Sequence, residues 1–600
     1  METNLENKKR FYTLFIILLF AILIGRFAQL QLYEWDKYYR QSERNRVREI
    51  VTDAPRGLIL DRKGEILVDN HPAYSVSVVP YEFLNSDSTL ALFSEIMHLD
   101  PANLKQTIQK KKVGDFTPIR IKRQIDLQTL GHIEEFKLDL PGVLYNTESK
   151  RYYPAGIKAP HLFGYLGEIT ADELSKRKAQ GYKLGDLIGK NGIELQYESR
   201  LRGKPGVQYV EVDAVGREIR DLPELSRQKP VPGQNIYLTI DAGIQRYLEK
   251  AMADKKGAAV VLDPRNGEVL ALLSKPDYEP ELFSNPLADE IWNQLAVAEG
   301  HPLYNRACQS VYPPGSTYKL VLAAAGLETG ILDPERSVLC TGAYRLGRRN
   351  FDCWKKGGHG EVNLVKAIEQ SCNVYFYTMS LEVGLANWSK YSRLFHFGVK
   401  TFLDLPNESS GLVPDQRYLD ERYGAGGWTQ GLLLNLAVGQ GDLLTTPLQM
   451  SYFAMLIANE GVAYKPHLVR RFENPATGET TPARIVASRV NHISTDTYRR
   501  LKQGMYRVVN GEHGTGRAAW VSGAKVCGKT GTAQNPHGKS HAWFIGFAPL
   551  ENPRVALCVL VENGGSGGAV AAPIARGVFA RIFDEKSTTF AENKRGGIHN

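Results

Sequence analysis

The chain has 600 residues, 43% hydrophobic and 23% charged, with a formal net charge of +9 at pH 7. This composition excludes a disordered or collagen-like chain, and the length exceeds what one hydrophobic core sustains, so several domains are expected. The charge is too dilute for a nucleic-acid binder and at most suits a place beside anionic lipid or an acidic polymer, while six cysteines are too few for a disulfide scaffold.

Lys8, Lys9 and Arg10 precede the apolar run Phe11–Gly25; Arg26 interrupts it, and Phe27, Ala28, Leu30, Leu32 and Tyr33 continue it. With Arg26 snorkelling, 11–33 reaches the roughly 20 residues a bilayer span needs. A cleaved signal peptide is the alternative, but no small-x-small site follows, and Tyr33 and Trp35 suit an interfacial belt. The basic cluster predicts a cytoplasmic tail over 1–10, one transmembrane helix over 11–33 and the remainder outside the cytoplasm. The polar stretch Lys37–Glu49, with Arg40, Arg44, Arg46 and Arg48, reads as a solvated helix near headgroups.

Leu58, Leu60, Ile66 and Val68 alternate around Arg62-Lys63-Gly64, a hairpin pattern, and Tyr74–Val79 reads as a further strand. Residues 81–150 form a mixed head insertion with helices near Ser86–Met97 and Leu127–Leu138. Strands and glycine-rich turns are expected over Arg151–Gly167 and Gly189–Gly206, and the proline-rich Pro223–Gly233 marks a linker. A β-rich domain therefore spans 34–232 and a second domain 233–585. In the latter, Asp241–Met252 reads as a helix, and Gly257–Asp263 and Glu268–Ser274 as strands joined at Pro264–Gly267. Helical patterns fill about 316–460, strands return at Ala542–Ala548 and Val555–Glu562, and Ala571–Phe583 closes as a helix before a disordered tail over 586–600. This order fits an α+β domain: a five-strand-type sheet carrying N- and C-terminal helices, with an all-helical insert.

Within it, Pro313-Pro314-Gly315-Ser316-Thr317-Tyr318-Lys319 opens a helix on which Ser316 and Lys319 share a face. A serine hydroxyl needs a base within reach, and a lysine serves as one when its pKa is lowered. Alone, S-x-x-K is weak, and an N-cap role for Ser316 would be preferred. Two further motifs reverse that preference. Ser371-Cys372-Asn373 on a helical stretch offers a second hydroxyl and an amide, and Lys529-Thr530-Gly531-Thr532 on a strand offers a charge and hydroxyls beside an edge along which a peptide can lie.

This trio, in this chain order, resembles the set of penicillin-binding proteins and serine β-lactamases, and specifically the class B penicillin-binding proteins. Arg56-Gly57 with Asp61-Arg62, Gly189–Glu194, Leu201-Arg202-Gly203, Asp263-Pro264, Gly439-Gln440-Gly441 with Thr445-Thr446-Pro447, and Val561–Gly565 extend the likeness to about residue 580. The resemblance implies a membrane-anchored peptidoglycan D,D-transpeptidase, acylated by β-lactams, with a β-lactamase-like transpeptidase domain on a non-catalytic pedestal. It implies that Ser316 attacks the penultimate D-Ala carbonyl, Lys319 accepts the proton, Ser371 relays it and Asn373 holds Lys319 and the substrate amide. Lys529, Thr530, Gly531 and Thr532 would take the terminal carboxylate, with backbone N–H groups of Ser316 and Thr532 as the oxyanion hole. It further implies stem peptides as substrate, a SEDS-type (RodA-like) glycosyltransferase and elongation complex as partners, and a single pass through the inner membrane with the catalytic domain periplasmic. A D,D-carboxypeptidase or β-lactamase, and a non-catalytic sensor, are the alternatives. No Glu-x-x-Leu-Asn deacylation element stands between Ser371 and Lys529, although Glu408 and Glu421 remain candidates.

Cys340, Cys353, His359 and Cys372 are spaced C-x12-C-x5-H-x12-C, and three thiolates with an imidazole complete a tetrahedral zinc set. A Cys340–Cys353 disulfide and unrelated buried thiols are the alternatives. Asn350–Gly360 resembles the loop of the elongation-type members, several of which bind zinc through this histidine and a cysteine inside the S-x-N motif, which implies structural zinc here.

Overall fold

The computed structural model describes residues 2–39, 47–112, 114–212, 218–222, 227–284, 289–490 and 492–584. The N-terminal helix Glu2–Ala28 continues through a π-turn at Gln29–Tyr33, and Lys9–Tyr33 is long and apolar enough to cross a membrane. The helix expected over Lys37–Glu49 falls partly outside the described residues, at 40–46, and its end is corrected. Val47–Thr52 is a strand antiparallel to Gly206–Val212, a segment whose Val and Ile content favours the pleated backbone. The tail over 586–600 and part of the linker, 223–226, also lie outside the described residues.

The chain forms two compact units, one of residues 1–55, 72–148 and 203–232, the other of 56–71, 149–202 and 233–600. Segments 56–71 and 149–202, grouped by the sequence reading with 34–232, thus share a unit with the second domain. In the first unit, helices Asp87–Met97, Pro101–Lys111 and Leu127–Glu135 close around Phe83, Phe93, Ile108 and Ile133; Ser86, Asp100 and Asp126 cap their N-termini.

Ile59–Leu60 pairs antiparallel with the start of Ile66–Val78, the hairpin that the sequence predicts, with Ile59 opposite Val68 and a register shift that sets Leu60 opposite Ile66. The strand expected from Tyr74 is the far end of this one 13-residue strand. The strands expected over Gly189–Gly206 are corrected: Gly192–Gln196 and Glu198–Leu201 are short helices. They turn Glu194 and Glu198 onto Arg56 and Arg151, four buried charges that satisfy one another.

The sheet of the second domain is antiparallel throughout, in the order Val269–Lys275, Gly257–Leu262, Val555–Val561, His541–Ala548, Cys527–Ala533. Its central strands are buried along their length, hence the near-continuous Val, Leu and Ala runs. Helices Ala242–Ala251 and Ala572–Phe583 pack together, and Pro447–Ala458, buried at all twelve positions, packs on the sheet. The insert expected to be all-helical also contains two small ribbons: Val338–Cys340 with Gly360–Val362, and Ala343–Leu346 with Arg349–Asp352.

Candidate active site

Ser316 lies in a 3-10 turn, Gly315–Tyr318, that feeds the buried helix Lys319–Glu328. The turn is seated by close backbone approach. Gly315 N donates to Gly439 O at 2.9 Å, and a Cβ on Gly439 would stand 2.0 Å from Gly315 O. Only glycine permits that approach, and Gly439 also has φ of +74°. Trp543 Nε1 donates to Pro313 O at 3.0 Å and fixes the entry to the turn.

The side chain of Lys319 is fully buried. Its Nζ donates to Asn373 Oδ1 at 2.6 Å, to Ser371 O at 2.9 Å and to Ser371 Oγ at 3.3 Å. Burial pulls its pKa down to about 8, against the opposing pull of the Cys372 and Cys353 thiols. Lys529, equally buried, donates to Ser371 Oγ at 2.9 Å and to Thr530 O at 3.1 Å. Burial, and then the neighbouring Lys319 ammonium, hold its pKa well below the ordinary lysine value.

Ser371 is not on a helix, as the sequence suggests, but in the turn between Leu364–Glu369 and Asn373–Leu394, at φ +53°. That left-handed backbone is uncommon for serine, and here it accompanies a carbonyl and a hydroxyl that both meet Lys319. Lys529–Thr532 lies on Cys527–Ala533, the edge strand, paired on one side only, with Lys529 and Thr530 buried and Thr532 exposed. Ser316, Ser371, Asn373, Thr530 and Thr532 line one cleft of about 570 Å³. Gly531 packs beneath it against the entry to the Ser316 turn, where a Cβ would lie 2.8 Å from Pro314 O.

The cleft also holds residues the sequence reading did not assign, among them Asn435, Gln440, Tyr377 and Thr515. Thr515 Oγ1 lies 2.8 Å from Thr530 Oγ1, and Thr515 N donates to Glu369 O at 3.3 Å. Its only signal in the chain is its setting in the glycine-rich 511–516 segment, which names no chemistry. Neither Glu408 nor Glu421 lines the cleft: the first is buried and accepts from Thr401 N and Leu403 N, the second is exposed and pairs with Arg417.

Beside the cleft, one ligand atom each from Cys340, Cys353, His359 and Cys372 lies within 4.8 Å of every other. His359 Nδ1 stands 3.5 Å from both Cys340 Sγ and Cys353 Sγ. Zn–S of about 2.3 Å and Zn–N of about 2.0–2.1 Å in a tetrahedron require S···N edges of about 3.6 Å. The donor set therefore fits zinc, and all six cysteines are free thiols. Hydrogen bonding from the Cys372 thiol holds the Cys353 pKa down, and the same contact pushes that of Cys372 up. Cys353 Sγ also accepts from Asn373 N at 3.4 Å, linking the cluster to the residue that holds Lys319.

The model of the penicillin binding protein transpeptidase domain matches residues 257–580, and that of the penicillin-binding protein dimerisation domain matches 51–238. The chain is 35% identical to the peptidoglycan D,D-transpeptidase MrdA of Acinetobacter baumannii over 94% of this chain and 85% of that one. It is 32% identical to the MrdA of Escherichia coli K12 over 92% and 90%. Among solved structures, a Helicobacter pylori penicillin-binding protein, PBP2, in complex with MreC superposes with a TM-score of 0.78 at 30% identity, covering 89% of this chain and 99% of that one. A peptidoglycan synthase complex that coordinates polymerization and crosslinking contains a chain that superposes with a TM-score of 0.70 at 30% identity, covering 96% and 98%.

Proposed function

The chain belongs to the penicillin-binding protein transpeptidase family, and from that membership we propose that Ser316 carries the acyl-enzyme through which it cross-links peptidoglycan. The protein is a serine-type peptidoglycan D,D-transpeptidase of cell elongation. The observation that carries the assignment of residues is the pair of buried ammonium groups meeting one hydroxyl, Ser371 Oγ, in the cleft that Ser316 lines.

The chemistry follows from those positions. The terminal carboxylate of the donor stem peptide lies against Lys529, Thr530 and Thr532, with its backbone along the open edge of Cys527–Ala533. Ser316 Oγ attacks the penultimate D-Ala carbonyl as neutral Lys319 takes its proton. Backbone N–H groups of Ser316 and Thr532 receive the charge that develops on the carbonyl oxygen. Ser371 passes a proton to the departing D-Ala amine as the C–N bond breaks. The amine of a neighbouring stem then attacks the ester, its proton returns through the same groups to Ser316, and a new amide remains. Penicillin enters as the donor does and stops at the acyl-enzyme. Intact-mass measurement tests this: the penicillin adduct forms on the wild type and is lost in Ser316→Ala, and an adduct that survives the substitution overturns the assignment.

Cys340, Cys353, His359 and Cys372 would hold zinc as four protein ligands, a structural set rather than a catalytic one. Zinc there would tie the 340–359 segment to the Ser371–Asn373 turn. Elemental analysis of purified protein finding no zinc ends this reading.

Lys9–Tyr33 anchors the chain in the inner membrane, with its basic N-terminus cytoplasmic and the catalytic domain periplasmic. The region matched by the dimerisation-domain model, 51–238, docks a SEDS-type glycosyltransferase that supplies the glycan strands and other members of the elongation complex. The support is the likeness to a PBP2 in complex with MreC and to a chain of a peptidoglycan synthase complex. Co-purification of the full chain with such a glycosyltransferase from detergent tests it, and its failure together with normal penicillin acylation counts against the docking alone.

A further inference from the structure

The ribbon Ala343–Leu346/Arg349–Asp352 is packed on one face and ringed by cations at its turn and beyond. Tyr344, Leu346 and Phe351 pack with Tyr377 on the helix Asn373–Leu394, with Leu434 on Gln430–Ala437 and with Val438 at the end of that helix. The opposite face exposes Arg345, Asn350 and Asp352, and the turn end and the chain that follows expose Arg348, Arg349, Lys355 and Lys356. None of these five cations makes an ion pair among the described residues; Arg345 donates to Gly347 O at 3.2 Å, and Arg349 lies over the Phe351 ring. Five unpaired cations against the one carboxylate of Asp352 within twelve residues leave the surface strongly positive, so the arrangement gains when an anion lies across it.

A second observation gives the surface a direction. The ribbon runs into the active-site cleft, whose wall includes Asp352, Cys353 and Trp354. Trp354 is 58% exposed, yet its Nε1 donates to Gln370 O at 3.0 Å and its ring meets His359 edge-on. A large aromatic ring held open to solvent at the rim of a cleft is a stacking platform for a partner, since nothing among the described residues covers its exposed part.

Resting on the transpeptidase reading above, the geometry points to the Arg345–Lys356 ribbon as a docking surface for the anionic glycan strand, engaging carboxylates of its peptide stems beside the cleft, with Trp354 against a neutral portion of the strand. The occupant is the polymer and not a lipid surface, because the cations are continuous with the cleft wall where stem peptides must enter. A small β-lactam does not extend to the ribbon, so charge here governs polymer capture and leaves acylation by penicillin unaffected.

The test uses the full-length chain in detergent. In one arm, penicillin acylation is timed for the wild type, for the triple variant Arg345→Gln/Arg348→Gln/Arg349→Gln and for Lys355→Gln/Lys356→Gln. In the other, binding to purified, uncross-linked glycan strands and, separately, to phosphatidylglycerol vesicles is followed by co-sedimentation at rising salt. Expected are acylation rates within about twofold of wild type, strand affinity about tenfold weaker in the triple variant, a smaller loss in the double variant, and a shallower salt dependence in both. Unchanged strand affinity in folded, normally acylated variants overturns the inference, as does a loss confined to binding of phosphatidylglycerol vesicles. Loss of acylation in the wild type would instead strike the transpeptidase reading.

Discussion

Lys529 Nζ lies 2.9 Å from the hydroxyl oxygen of Ser371, the same oxygen that Lys319 approaches at 3.3 Å. One hydroxyl therefore separates two buried amines, and both cannot comfortably carry a proton. Burial acts first on each, and the Lys319 ammonium further depresses Lys529. A substrate carboxylate entering beside Lys529 restores its charge, which leaves Lys319 as the group free to take the serine proton.

The sign of the pH dependence follows. Lys319 accepts a proton only when neutral, and its pKa stands at about 8. The second-order rate constant for acylation by labelled penicillin should rise about tenfold per pH unit below that value and level off above it. A rate that is flat between about pH 6 and 9 removes Lys319 as the base.

Gly439→Ala probes the seat of the nucleophile turn. A Cβ there meets Gly315 O at 2.0 Å, and φ is +74°. The expected cost is about 1–3 kcal/mol of stability with acylation slowed about tenfold or more, since the displaced atoms belong to the residue before Ser316. Gly426→Ala is the control: φ is +70° with no atom within 4 Å, so only backbone strain of about 1 kcal/mol is expected and the acylation rate should hold. Equal acylation rates in the two variants would remove the packing argument.

What the sequence made legible depends on the period of its pattern. Alternation at Leu58, Leu60, Ile66 and Val68 gave the hairpin, but burial there takes consecutive pairs, Ile59 with Leu60 and Leu67 with Val68, so the pattern placed the turn and not the buried face. The helices over Gly192–Leu201 were missed because their buried face is charged: Glu194 and Glu198 point inward to Arg56 and Arg151, so no amphipathic pattern marks it. Motifs singled out Ser316, Lys319, Ser371 and Lys529, and the fold brings Lys319 and Lys529 to one Ser371 hydroxyl, yet the left-handed turn at Ser371 has no glycine to announce it. Thr515 carries no motif at all, and only folding brings it within 2.8 Å of Thr530.

That contact has a consequence for substrate recognition. If Thr515 donates its proton to Thr530 Oγ1, the Thr530 proton is free to point at a carboxylate in the cleft. Thr515→Val removes this arrangement and Thr515→Ser keeps it. The valine variant should lose about 1–2 kcal/mol of carboxylate recognition, seen as a smaller ratio between acylation rates for penicillin and its methyl ester, while serine restores the ratio. An equal fall for acid and ester in the valine variant would mean Thr515 only supports the fold.

The cluster of Cys340, Cys353, His359 and Cys372 offers a prediction in which stability and chemistry should move together. Cys353 Sγ accepts from Asn373 N, and Asn373 Oδ1 accepts from Lys319 at 2.6 Å, so a ligand that shifts inside the cluster shifts the base as well. With zinc bound, a strong chelator should lower the thermal midpoint of the wild type by about 5–10 °C, because ligand binding stabilises only the folded chain. Cys372→Ser should start from the lowered midpoint, respond little to chelator, and acylate more slowly even at saturating penicillin. Cys308→Ala removes a thiol that is equally buried but outside the cluster, so its response to chelator should match that of the wild type. If the wild type and Cys372→Ser respond alike, the four side chains pack as thiols and imidazole without a metal, and their influence on Asn373 is steric alone.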